Sequence, residues 1–441
     1  MRSTSSTWAP EGAASPPGRA RGEGRAPADL RPLSTAAPAA SDAEPAVGPP
    51  GAAPSEVPTG EQPGVQPGAR LVAFDQLRAA LVGLVICHHA AVAFGAEGGW
   101  YYKVGPPPGD ELSPLLLTMF AALNQSFFMA LLFGLAGFFT VPSFDGKGSR
   151  GFLRDRGLRL GLPLAVYFFV LNPCVEYLAD RFSGATSAGF VVWSGRYWLE
   201  ECAAGPLWFV LSLLVYSAAY AGWLSLHTRP LRPHSFPSHG QIALFVLVSG
   251  LAAFCLRLVF PVGETLGFTD VQPGHHVLYV SLFVLGIVAR RSGWLEQLGP
   301  EHVRPWLAAV GIALLAMPVV MLAGARGDED EGLAVFLGGL HWQAWLYATW
   351  ESLLCVGISL GLIRLFATRV TRPTPRRERL RRSAYTAYII HPFFVVTGTW
   401  LLSRLGLHPL LAFALLCLLA VTTTYAVSDL VRRLPGVRRV V

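Results

Sequence analysis

Phe74-Asp75-Gln76-Leu77-Arg78-Ala79-Ala80-Leu81-Val82-Gly83-Leu84-Val85-Ile86-Cys87-His88-His89-Ala90-Ala91-Val92-Ala93-Phe94 decides how the chain is read. From Leu77 to Phe94 it is a hydrophobic span, yet it carries an arginine and two adjacent histidines, groups that lipid excludes unless they are paired or functional. Arg78 and His89 are eleven positions apart. At 3.6 residues per turn they share one helix face, about 16 Å apart along the axis, so a single face joins a membrane edge to its interior. A structural role fits the same residues: Arg78 reaches the headgroups beside Asp75, and the histidines satisfy one another or a neighbouring helix.

The rest of the chain supplies the context. Of 441 residues, 52% are hydrophobic and 14% charged, and the mean hydropathy is +0.43, too apolar for an ordinary soluble protein of this length. The net charge of +7 raises the question of nucleic acid. The cations lie in short blocks between apolar runs, without a zinc-finger, RRM or basic-zipper pattern, so no nucleic-acid partner is expected. Residues 1–70 are rich in Ala, Pro and Gly and contain no run able to bury a core. They read as a disordered cytoplasmic segment without the apolar centre of a cleavable signal, leaving insertion to the first span.

Ten apolar segments follow, each near the roughly 20 residues a helix needs to cross the hydrocarbon layer. They cover residues 77–95, 115–141, 159–178, 206–226, 241–260, 275–290, 305–323, 344–366, 384–403 and 409–428. Length and the missing alternation of polar and apolar residues select helices over barrel strands. The expected fold is an all-α polytopic integral membrane protein, with a transmembrane domain over 71–430 and a basic tail over 431–441. Starting with the N-terminus inside, alternate loops hold 22 Lys and Arg against five in the others. That asymmetry places both termini in the cytoplasm and the protein as a multi-pass component of the cell's inner (plasma) membrane. The acidic run Asp328-Glu329-Asp330-Glu331 then faces outward and reads as a solvated turn. Five of the six cysteines fall within spans, so no disulfide framework is implied. His275 and His276 diverge by about 100° on a helix, and no metal site is expected.

Further polar residues interrupt the spans. Glu351 enters the eighth, Arg257 lies in the fifth, His391 stands before Pro392 in the ninth, and Asn124, Gln125 and Ser126 break the second. With His89 they can line one polar cavity, since a bundle hides such groups inward and pairs them. They can equally serve as interhelical pairs, Arg257 with Glu351 for example, with Pro392 setting a kink.

This arrangement resembles the membrane-bound acyltransferase 3 family. The resemblance covers about residues 70–430 and rests on several motifs in order. Phe74-Asp75-Gln76-Leu77-Arg78 with His89 is similar to the family's first-helix signature of an Arg, ten residues and a His. Ser126 to Met129, Leu135 to Phe139, Phe152-Leu153-Arg154, Arg159 to Pro163, Gly205-Pro206-Leu207-Trp208-Phe209 and Tyr385 to His391 also fit. The resemblance implies transfer of an acyl group, with acetyl the expected one, from cytoplasmic acyl-CoA to a hydroxyl of an extracytoplasmic carbohydrate or related acceptor. It implies acyl-CoA as a donor substrate rather than a bound cofactor, and it maps the signature's functional Arg and His onto Arg78 and His89. His88, beside the motif position, is a second candidate. Some members carry an additional extracytoplasmic hydrolase-like domain near the C-terminus. Here a short basic tail follows the tenth span, so acceptor choice is expected to fall to helices, outer loops or a partner.

The chemistry suits these groups. An imidazole titrating near neutrality can take the acceptor's hydroxyl proton, and His89 is the expected general base. Glu351 is expected to orient it, as a carboxylate does in hydrolase triads. The CoA head needs cations, which Arg78, Arg154, Arg156 and Arg159 can supply, while His88, Arg257 and His391 are candidate substrate contacts. Positive-inside topology explains the arginine cluster equally well. A pantetheine arm rising from the cytoplasm would present its thioester near midplane. Direct transfer and an acyl-histidine relay both remain open, whereas no Gly-x-Ser-x-Gly elbow points to a serine intermediate. The alternative class is a transporter or flippase of a glycan or glycolipid precursor, for which no inverted repeat is visible.

Overall fold

The structure, a computed structural model, describes residues 67–200, 202–227, 233–325, 334–370 and 372–437. The expectations for the N-terminal segment up to residue 66, the Asp328–Glu331 turn and Arg229, Arg232, Arg326, Arg438 and Arg439 lie outside these residues. Among the described residues there are nine helical runs long and apolar enough to cross a membrane. Together they make an all-α polytopic membrane protein.

One run, Leu112–Ser183, is 72 residues long, about 108 Å if straight and far more than the roughly 30 Å hydrocarbon layer. It folds back at Gly148, whose φ of +65° is open to glycine and strained for other residues. Arg156 Nη2 donates to Thr140 Oγ1 at 3.3 Å across 16 positions, which a straight helix would separate by about 24 Å. The run is therefore two crossings, α2 (112–147) and α3 (149–183), and the ten segments read from hydropathy are all present. Two π-helical turns, Gly157–Gly161 and Tyr167–Leu171, interrupt α3.

The remaining elements are α1 (Pro67–Ala93), a short α4 (Phe190–Glu200), α5 (Trp208–Leu226), α6 (His239–Arg257), α7 (His276–Ser292), α8 (Pro300–Ala325), α9 (Trp342–Arg369), α10 (Pro375–Ser403) and α11 (Pro409–Val431). Ser238 and Gln241 form a capping box that starts α6. In α10 the helix begins nine residues before the apolar span at 384. Thr374 caps it, accepting from the Arg377 N–H, and Pro375 takes the first turn, where a missing N–H costs nothing. Arg376 to Arg382, expected as loop, are thus helical, because hydropathy sees the lipid-facing length of a helix and not its wet end.

Packing follows the rule for helices in lipid, where small residues allow close approach. Against α7, a methyl added at Gly137 would overlap the Phe283 carbonyl, and one at Gly286 would overlap the Gly134 carbonyl. One end of the bundle collects cations. Asp75 binds Arg78 at 2.7 Å and Arg381 at 3.3 Å, and Asp145 holds Arg291 through two bonds of 2.7 and 2.8 Å. Arg364 donates to the Leu298 carbonyl at 2.8 Å.

Replacing Gly286 by Leu forces α2 and α7 apart. It is expected to cost about 3 kcal/mol or more and to lower the yield of monodisperse protein in detergent. Gly311→Ala, where the added methyl meets open space, should leave the melting temperature unchanged or slightly raised. Equal behaviour of the two variants would contradict this packing.

Candidate active site

Proline at position 392 lies inside α10 and has no N–H for the carbonyl of residue 388, its partner four positions back. The Tyr388 carbonyl is therefore free, and His391 Nδ1 bonds to it at 2.7 Å. A carbonyl only accepts, so Nδ1 carries the hydrogen and the lone pair of the neutral ring is on Nε2. Nε2 is buried and unpaired among the described residues. The Tyr388 hydroxyl in turn donates to the Pro206 carbonyl.

Two rings stack in front of His391. His89 of α1 stacks on Trp100 with centroids 3.9 Å apart and on His391 at 5.3 Å, each pair inclined by 18°. Trp100 and His391 are 6.0 Å apart at 20°. His88 stands 5.5 Å from His89 and 5.0 Å from Phe128. His88 and His89 are partly accessible whereas His391 is fully buried, and the Nδ1 atoms of His88 and His89 are unpaired like His391 Nε2. Depth can be measured along α10. His391 is ten residues from Arg381 at the cationic end and twelve from Ser403 at the other, about 15 and 18 Å. The stack thus lies near half-depth, and the segment after α1 dips into the bundle to bring Trp100 there, with the Val104 N–H bonded to the Ala93 carbonyl at 2.8 Å.

Loops at the far end hold this arrangement from above. Gly205 adopts φ +54°, and a side chain there would collide with the Tyr101 hydroxyl. Tyr101 bonds to Tyr167 at 2.9 Å and donates to Asn172 Oδ1, while Asn172 Nδ2 donates to Tyr197 at 2.9 Å and to the Ala203 carbonyl at 3.0 Å. The Gly205 N–H donates to Asp270 at 2.6 Å. Burial pushes the Asp270 carboxyl up from its ordinary value, and the N–H groups of Gly205 and Ala204 pull it partly back.

Charges form a second cluster. Arg257 of α6 and Glu351 of α9 are each 1% exposed and make an ion pair. Arg257 Nε donates to the Gly274 carbonyl at 3.0 Å. His275 Nδ1 lies 3.3 Å from Arg257 Nη2 and 3.7 Å from Glu351 Oε1. Glu351 is therefore engaged by Arg257 and His275 rather than set as the orienting partner of His89, and the interhelical pair is the reading that the geometry favours. Two charges this deep each need the other, because desolvation without a partner costs several kcal/mol. His276 points elsewhere, to Ser212 at 3.2 Å and the Gln272 carbonyl at 2.8 Å. Gln125 donates to the Tyr279 hydroxyl at 2.8 Å. Among the described residues no group of three or more His, Cys, Asp or Glu is arranged to hold a metal ion.

At the cationic end Arg78 is 41% exposed, bound to Asp75 and 5.9 Å over the Phe139 ring. Arg290 lies 5.2 Å over the adjacent Phe138. Arg156 is half-buried against Phe152 at 5.0 Å, Arg154 is exposed, and Arg159 is exposed but paired with Asp155 at 3.0 Å. Trp100 has no place in the sequence reading, Tyr388 enters it only within the Tyr385 to His391 motif, and Arg290 and Arg381 only as inner-loop cations. Gly98-Gly99-Trp100-Tyr101-Tyr102, an aromatic cluster directly after the first span, was the available signal for Trp100.

The chain is thus a polytopic helical bundle with imidazoles at half-depth, unpaired among the described residues, and arginines at one end. The sequence profile of the acyltransferase 3 family, described as an acyltransferase domain, matches residues 71–429, and the chain belongs to that family. No match was found among curated proteins or among solved structures. The protein is thus a multi-pass membrane acyltransferase.

Removing one member of the buried pair distinguishes scaffold from chemistry. Arg257→Leu leaves Glu351 charged and unpaired and is expected to cost about 3–5 kcal/mol, while Arg257→Leu with Glu351→Leu recovers most of that loss. Thermal unfolding in detergent reads the difference. A double variant as unstable as the single one would show that the pair is not an isolated structural unit.

Proposed function

We propose that the protein transfers an acyl group, acetyl in the first instance, from cytoplasmic acyl-CoA to a hydroxyl of an extracytoplasmic carbohydrate or related acceptor. In this reading the cationic end faces the cytoplasm of a cell whose inner membrane holds the protein, as the positive-inside rule asks. Arg78, Arg156 and the exposed Arg154 and Arg159 receive the anionic CoA head. The observation that carries the proposal is the His89 ring at half-depth, in contact with a tryptophan and a second histidine whose rings lie nearly parallel to it, with a nitrogen unpaired among the described residues.

The acceptor oxygen attacks the thioester carbonyl carbon as its proton passes to the His89 imidazole, forming the C–O bond and an oxyanion. When the intermediate collapses, the C–S bond breaks and the imidazolium returns the proton to the CoA thiolate, giving ester and free thiol. His391, its Nδ1–H held by Tyr388, offers its Nε2 lone pair to a substrate hydroxyl or to the imidazolium. Glu351 and Arg257 keep the adjoining helices together and need not touch substrate.

Purified protein given labelled acetyl-CoA and envelope oligosaccharides should produce acylated product, where a transporter or flippase would produce none. His89→Ala should insert at the normal level and lower turnover by about 10²–10⁴. Retained turnover would move the base to His88 or His391.

A further inference from the structure

We propose that Trp100 is a catalytic residue whose indole N–H stabilises the oxyanion formed during acyl transfer, an inference that rests on the acyltransferase reading above. Trp100 Nε1 is buried and has no hydrogen-bond partner among the described residues. An indole N–H only donates, and burying such a donor unpaired is unfavourable, so a site keeps one there where an acceptor arrives during the work. Other buried unpaired groups exist, among them Asn124 Nδ2, Arg156 Nε and Arg257 Nη1, but Trp100 is the donor whose ring lies flat on His89 at 3.9 Å. The unpaired atoms of the stack divide by chemistry: Nε2 of His391 carries a lone pair, and Trp100 Nε1 carries a hydrogen.

Acyl transfer needs both kinds of atom. A ring nitrogen takes the hydroxyl proton while the carbonyl oxygen gains the electron pair of its π bond, and that oxygen requires a fixed donor when C–O formation makes it an anion. On collapse the pair returns to re-form the carbonyl, the C–S bond breaks, and the donor is released unchanged. The loop from Gly95 places Trp100 for this task. Its partner Tyr101 is tied to Tyr167 and Asn172, and a Cβ at Gly205 would displace it, so the indole is held by structure formed before substrate binds.

The test separates the N–H from the ring. Trp100→Phe keeps an aromatic ring over His89 and removes the donor. Replacement of Trp100 by β-(3-benzothienyl)alanine, which exchanges the N–H for sulfur at nearly constant shape, does so with less disturbance of packing. In full-length protein in detergent, kcat with labelled acetyl-CoA is expected to fall about 10²–10³-fold in both variants, with KM for donor and acceptor within about twofold and the melting temperature unchanged. Wild-type kcat in the benzothienyl variant would overturn the inference while leaving the acyltransferase reading intact, as would a loss confined to KM or to protein yield. Absence of transfer by the wild type would overturn the reading and this inference with it.

Discussion

The site depends on one hydrogen bond that a proline makes available. In the interior of a membrane protein no bulk water satisfies a free carbonyl, so the acceptor that Pro392 leaves at Tyr388 must be met by a side chain. His391 is the residue beside it, and its Nδ1–H meets that carbonyl. The bond sets the tautomer, turns Nε2 away from the backbone and fixes the plane against which His89 and Trp100 lie within 20° of parallel. Because Tyr388 also donates its hydroxyl to Pro206, the same turn of α10 is joined to the Gly205 corner and, through Tyr101, to the loop that carries Trp100. A single missing N–H is thus coupled to the placement of every ring in the stack.

The two buried clusters solve opposite problems. Arg257 and Glu351 are charged, 1% exposed and paired, an arrangement whose net contribution to stability is near zero but whose disruption is severe. The imidazoles keep nitrogens unpaired among the described residues, which is unfavourable for a scaffold and useful for proton transfer. Engaging Glu351 with Arg257 also spares the histidines a fixed carboxylate neighbour, which would favour the imidazolium and leave the base already protonated. His391 takes a main-chain carbonyl as its orienting group, where a hydrolase triad uses an acid.

All ten crossings are legible in the sequence because lipid thickness imposes a length that composition reveals. A turn between the second and third spans is expected too, whereas its placement at Gly148 and the wet first turns of α10 are not, since both lie where the chain is polar and a hydropathy pattern has nothing to report. Arg78 and His89 are legible through their spacing on one span, and family resemblance strengthens that reading. Glu351 is ambiguous: a buried carboxylate suits a triad as well as an ion pair, and the choice depends on α6 and α9 being neighbours, which no local pattern encodes. Trp100 is hidden for a related reason. Its position follows from a loop that dips back to half-depth, and an aromatic residue after a span ordinarily reads as an interfacial anchor.

That dip has a consequence for how two substrates share one site. Irregular backbone at membrane depth is tolerated where protein or a watery cavity surrounds it, and here the segment after α1, which ends at Ala93, keeps Glu97, Gly98 and Gly99 exposed and sends the Trp100 and Tyr101 side chains inward. In the proposed reaction a donor reaching His89 from the cationic end passes Arg78 and the Phe138–Phe139 pair, all of them on helices. An acceptor coming from the far end meets the segments around Tyr101 and Gly205, which side-chain hydrogen bonds hold. For the proposed reaction, helices thus border the donor's approach, and the loops around Trp100, Tyr101 and Gly205 border the acceptor's.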